Sequence, residues 1–153
     1  MNVGFTGTRE GMTKDQKEQV ENLLLYFRSD IFESVFHHGN CIGADEQALE
    51  LAGKLNYYTI AHPTDMPNLQ IPVSHSHESR EVRQPLARNR DIVRESDVVI
   101  AAPKEDVEPK HYRGSGTWFT INHCRKQNIN RRYLIVWPDG QVIGDLLWMN
   151  SMH

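Results

Sequence analysis

Short, near-continuous apolar runs alternate along this chain with longer segments of helical period, and that alternation restricts the fold more than any other feature. VGFTG near the start, SVFHHG from Ser34, YYTIAHP from Tyr57, DVVIAAP from Asp97 and RRYLIVWP from Arg131 read as strands. Between them, Thr13 and Gln16 have the spacing of a helix capping box, and Val20, Leu23, Leu24 and Phe27 repeat at helical period to an end near Ser29. A second helix is expected from Asp45 through Ala48, Leu51, Ala52 and Leu55, with further helical patterns in Arg80 to Glu95 and Gly116 to Gln127. Strands without polar alternation are buried on both faces, as in a parallel sheet covered by helices. The expectation is a three-layer α/β domain with a mainly parallel five-stranded sheet in the order 3-2-1-4-5.

From about residue 63 to 79, proline, serine, histidine and asparagine accumulate without a period, so a long loop of the kind that often binds or covers ligands is expected there. The tail QVIGDLLWMNSMH suits either a short strand or a self-association surface, which leaves a homo-oligomer as one option. No repeat or linker divides residues 1–153, and a chain of 153 residues with 39% hydrophobic and 24% charged residues suits one folded domain.

A net charge of -3 favours a small anionic ligand over duplex nucleic acid as partner. No apolar run approaches the span of a bilayer and the amino terminus lacks a signal-peptide pattern, so a cytoplasmic address with no membrane partner is expected. Cys41 and Cys124 form neither a disulfide framework nor a CxxC motif. His37-His38 and His75-Ser-His77 lack the spacing of a zinc motif, so no metal is expected, and no feature calls for a cofactor.

Three glycine-bearing turns fall where strands hand over to helices: Gly7-Thr8-Arg9-Glu10-Gly11, Gly39 to Gly43 with Asp45 following, and Gly114-Ser115-Gly116-Thr117. In an open α/β sheet these strand ends line the ligand crevice, where glycine admits close backbone approach and a helix amino terminus favours an anion. Neither a Walker motif nor GxGxxG is present. Each turn alone is an ordinary strand-to-helix connection; their convergence at one edge points to binding of a phosphorylated nucleotide or nucleotide-derived small molecule.

GFTGTREGM, HHGNCIGADEQA, ARNRDIVRESDVVIAAP and GSGTWFTINHCRK, taken in order, resemble the SLOG superfamily, which includes LOG phosphoribohydrolases, DprA proteins and YpsA-like proteins. The resemblance covers most of the chain. It implies a Rossmann-like fold whose glycine turns hold a nucleotide or its phosphate, with Gly114, Gly116 and Thr117 matching the phosphate-binding segment and Arg88, Asn89 and Arg90 matching a basic segment. A guanidinium there can clamp phosphate in a bidentate pair. A solvated helix face is the alternative, and the choice falls on Arg90 over Arg88. Asp45 suits a helix cap or a ribose contact. Trp118 and Phe119 suit either base stacking or the core, with at least one expected in the core.

One position departs from the LOG pattern: Thr120 stands where those hydrolases carry glutamate. Cleavage of an N-glycosidic bond builds positive charge on the sugar, and a carboxylate normally opposes it. Ligand binding, in a sensor or sequestering role, is therefore the leading expectation. N-glycoside hydrolysis or transfer is the alternative, with Asp45 and Arg90 as catalytic candidates and Glu10 or Glu46 as substitute carboxylates. A DprA-like role on DNA ranks below both, because no basic-aromatic stripe is present.

Overall fold

The computed structural model describes residues 1–127 and 132–144. In chain order they form β1 (Asn2–Gly7), α1 (Lys14–Phe27), β2 (Val35–His38), α2 (Ala44–Lys54), β3 (Tyr58–Ala61), β4 (Glu78–Ser79), α3 (Pro85–Glu95), β5 (Val98–Ala102), α4 (Gly116–Lys126), β6 (Arg132–Val136) and β7 (Val142–Gly144). The strands make one sheet in the order β4-β3-β2-β1-β5-β6-β7. Every ladder is parallel except β6 with β7. The five expected strands occupy the centre in the expected order, and two short strands extend the edges. β4 arises at the end of the segment expected to be irregular, and β7 comes from the QVIG of the tail. The rest of that tail, with the self-association surface it was expected to offer, lies outside the described residues.

The capping box does more than start α1. Thr13 and Gln16 exchange side-chain to backbone hydrogen bonds, both 3.0 Å. The same Gln16 amide donates to the carbonyls of Pro103 at 2.7 Å and Val136 at 3.0 Å, tying the helix start to the ends of β5 and β6. Val20, Leu23, Leu24 and Phe27 are all buried, as their spacing requires, and the helix stops at Phe27, two residues before the expected end. Together with Val3, Phe5, Phe36, Ala48, Ala52 and Ile100 they form the core on one face of the sheet. Each fully buried large apolar side chain there contributes roughly 1.5–3 kcal/mol.

β5 is buried along its whole length, as a central parallel strand should be. The core around Trp118, Ile121 and Ile135, with that around Val93, Val99 and Cys124, packs α3 and α4 on the sheet. The chain steps from β1 to β2 to β3 in one direction, then returns through α3 to β5 on the far side of β1. With right-handed crossovers, α1 and α2 cover one face and α3 and α4 the other. The reversal leaves β1 beside β5, and a ligand crevice belongs at that switch point.

Residues 63–79 are anchored rather than free-standing. Two single turns of 3-10 helix, Pro67–Leu69 and Val73–His75, punctuate them. Ile42 N donates to Leu69 O and Ile71 N to Asn40 O, both at 3.0 Å. The Asn40 amide adds a bond to Ile71 O at 2.8 Å, and Ile71 itself is buried. Among the described residues, no helix is long and apolar enough to cross a membrane.

Candidate functional site

A cleft of about 800 Å³ opens over the carboxyl ends of β1, β2 and β5. Of the residues singled out in the sequence, Gly7, Thr8, Arg9, Gly39, Asp45, Arg88, Asn89, Gly114, Ser115, Gly116 and Thr117 line it. The three glycine turns therefore do converge on one cavity. Gly43 and Arg90 are not among its lining residues.

The glycines divide by what a side chain would meet. A Cβ on Gly43, whose φ is +87°, would sit 2.3 Å from the carbonyl oxygen of Arg9. Cβ atoms on Gly7 and Gly39 would fall 2.6 Å from Ala44 Cβ and 2.7 Å from Arg88 Nη1. These three glycines are thus accounted for by close packing of the first two turns. Ala44 N donates to Thr8 O at 2.9 Å, and Thr8 N to Ala102 O at 3.1 Å, locking those turns to each other and to β5. Gly114 is different: its φ is +73° and nothing lies within 4 Å of the space a Cβ would take. Gly116 would meet only the Asn89 amide, at 3.4 Å. The turn at the start of α4 leaves room beside both glycines at the cleft; Ser115 N donates to Tyr112 O at 3.1 Å, and the remaining N–H groups of the first turn with the helix dipole favour an anion. Ser115 caps the helix by accepting from Trp118 N at 3.2 Å.

Arg88 and Arg90 lie on opposite faces of α3. Arg88 is buried; its Nη1 donates to Gly39 O and to His62 O at 2.9 Å, and its Nε donates to Asn89 Oδ1 at 2.8 Å. It cross-braces the β2 and β3 ends while still bordering the cleft. Arg90 is exposed, with its guanidinium 5.5 Å from the centre of the Phe119 ring. Two residues are about 200° of helix rotation, so one of the pair faces in and the other out, and composition alone does not say which.

Asp45 is the perturbed carboxyl of the cleft. Burial pushes it up to about 6, partly countered by the charge of Arg88 and by hydrogen bonds from the backbone at Cys41 and Gly39. The Cys41 N to Asp45 Oδ2 distance is 3.2 Å. Desolvation, with Asp45 beside it, also raises the Cys41 thiol, so this cysteine is held as a neutral thiol rather than an activated nucleophile.

Lys104 and Arg113, which no motif singled out, add positive charge on the β5–α4 connection, while Thr64, Met66 and Leu69 bring the 63–79 segment, expected to bind or cover a ligand, to the rim. Arg9 and Arg113 are exposed and form no ion pair among the described residues, whereas Lys104 lies 3.6 Å from Glu10. Arg113 directly precedes the open glycine turn, which was its one sequence signal. Of the two aromatics, Trp118 is fully buried and donates to Glu105 at 3.0 Å, while Phe119 borders the cleft. Thr120 is buried, and its hydroxyl donates to Gly116 O at 2.8 Å, turned back along its own helix.

No family model and no curated protein matches the sequence. Among solved structures, the X-ray structure of TM1055, a structural-genomics target, is similar, with a TM-score of 0.48 and 13% sequence identity over 87% of this chain and 85% of that one.

Proposed function

We propose that this chain is a SLOG-type Rossmann-like domain that binds a phosphorylated nucleotide or nucleotide-derived small molecule in the cleft above β1 and β5. The observation that carries this reading is the Gly114–Thr117 turn, whose unobstructed backbone opens α4 into a cavity bordered by Arg9, Arg88 and Arg113. Phosphate takes the helix start and the exposed guanidiniums. Phe119, with Met66, Leu69 and Leu86, supplies apolar surface for a base. The partner is a small molecule rather than a duplex or a membrane, in a sensor or sequestering role.

Asp45 supports a second reading, N-glycoside cleavage, because a carboxyl held at about 6 in the cleft has the proton affinity of a general acid or base near neutral pH. Thr120 supplies no carboxylate, and its hydroxyl is already engaged. Binding and cleavage separate in one experiment. Nucleoside monophosphates, diphosphates, NAD-like and ADP-ribose-like compounds are screened by thermal shift beside the matching nucleosides, with free base followed by chromatography. A phosphorylated compound that raises Tm while its nucleoside does not supports binding, and release of base supports the second reading. Silence across the panel contradicts both.

A further inference from the structure

We propose that His37, His62 and Glu95 form a binding site for one divalent first-row transition-metal ion of the zinc class, on the sheet face beneath α3 and outside the cleft. His37 pairs with Ile60 across the parallel β2–β3 ladder, and His62 lies two residues beyond Ile60. Side chains repeat every second residue along a strand, so His37 and His62 share a face as diagonal neighbours. Glu95, the last residue of α3, closes over them. One donor atom from each of the three lies within 4.8 Å of the other two.

The detailed geometry suits coordination. His37 Nδ1 stands 2.9 Å from His62 Nε2, and His62 Nε2 stands 3.6 Å from Glu95 Oε2. Around a tetrahedral ion with bonds of about 2.0–2.1 Å, donor atoms lie about 3.3–3.4 Å apart. The first pair must open by about 0.4 Å and the second close by about 0.3 Å, while Glu95, which makes its ion pair with His62 and lies within 4.8 Å of the His37 donor, must swing toward His37 by about 1 Å, a movement within reach of rotation of its flexible side chain. Two imidazoles and one carboxylate are a donor set that zinc accepts with water in a fourth position. The half-buried Glu95 gives that water and the ion a way in, whereas the two rings are almost fully buried.

The outer contacts are those a ligand set needs. His37 Nε2 lies 2.9 Å from Asn2 Oδ1, an oxygen that only accepts, so the ring proton sits on Nε2 and the Nδ1 lone pair points at His62. The Nδ1 to Nε2 contact is then a hydrogen bond from His62, and coordination needs only the other neutral tautomer of His62. Arg80 holds the second carboxylate oxygen, Glu95 Oε1, at 2.7 and 3.1 Å and touches Oε2 only at 3.5 Å, so Oε2 is the more weakly held oxygen and the one nearer His62. A carbonyl oxygen behind a histidine and a donor behind a carboxylate are the supports that orient metal ligands.

The test uses the full chain without an affinity tag, stripped with a chelator and titrated with Zn²⁺ and Co²⁺. The expected result is one equivalent bound, a visible band of four-coordinate Co²⁺ that Zn²⁺ abolishes, and a higher Tm with Zn²⁺. Glu95→Gln and His62→Gln should each weaken Zn²⁺ binding at least 100-fold, and Asn2→Ala about 10- to 100-fold. His75→Ala with His111→Ala, which removes two exposed imidazoles, should change nothing. Should His62→Gln fail to fold, Glu95→Gln decides, since its side chain sits at the edge of the core. Failure to bind either ion, or an equivalent retained unchanged in Glu95→Gln, overturns the proposal. Either result leaves nucleotide binding in the cleft unaffected.

Discussion

Replacing Asp45 by asparagine should stabilise the protein at neutral pH, an unusual outcome for a buried polar residue and one the cleft explains. In the folded chain the carboxyl is held at about 6 against an ordinary value of 3.8, chiefly by burial. The folded state therefore grips this proton more tightly than the unfolded state does. The stability that follows is fully present below pH 3.8 and is lost as pH rises through about 6, beyond which the buried charge costs about 3 kcal/mol. Asparagine keeps an oxygen for the Cys41 N–H and carries no charge. Urea denaturation followed by circular dichroism at pH 4, 5, 6 and 7.5 gives the difference between variant and parent. Because the unfolded carboxyl is already more than half ionised at pH 4, that difference should move in favour of Asp45→Asn by about 2 kcal/mol across the series, with most of the movement between pH 4 and 6. Glu95 and Glu108 are held below their ordinary range, so their contributions run with the opposite slope, but they are present in both proteins and cancel. A constant offset across the whole range would refute the reasoning, because it would mean that Asp45 ionises in the fold as it does in the unfolded chain.

Arg88→Met should destabilise by about 3 kcal/mol, since the buried carbonyls of Gly39 and His62 lose their donor, while Arg90→Ala should cost less than about 1 kcal/mol; paired urea curves measure both. Arg113→Ala should weaken a phosphorylated ligand more than its nucleoside with no change in Tm, and calorimetric titration of the two ligands checks it. Gly43→Ala should lose about 3 kcal/mol or more, from a positive φ together with the collision with Arg9 O, whereas Gly114→Ala should cost only about 1–2 kcal/mol and act mainly on affinity. Incubated in stoichiometric amounts with AMP, CMP, GMP, UMP and dTMP, the protein should release little free base by chromatography, and rapid release that disappears in Asp45→Asn would instead make Asp45 the catalytic carboxylate.

Elements set by local chemistry are legible in the sequence. The Thr13–Gln16 box, the stripe from Val20 to Phe27 and the apolar run of β5 each state their structure within a few residues, and right-handed connection then orders the strands. β4 was not legible, because two residues following a proline-rich stretch carry no period and owe their pairing to β3. The site divides in the same way. A glycine announces a special backbone but not its cause, and only the surroundings show that Gly43 answers to Arg9 while Gly114 faces open space. Arg88 and Arg90 lie two apart on one helix, so the choice between them needed the side of α3 that packs on the sheet. His37, His62 and Glu95 come from three elements, and their proximity depends on the β2–β3 register, which no spacing along the chain records.

The central claim is that phosphate is held at the start of α4, and amide chemical-shift mapping tests it most directly. The uniformly ¹⁵N-labelled chain is titrated with the phosphorylated compound that most raises Tm, then with its nucleoside. The largest phosphate-dependent shifts should fall at the amides of Gly114, Ser115, Gly116 and Thr117, with smaller ones at Thr8 and Arg9. Phosphate-dependent shifts confined to residues outside the cleft, or none at saturating ligand, would contradict it.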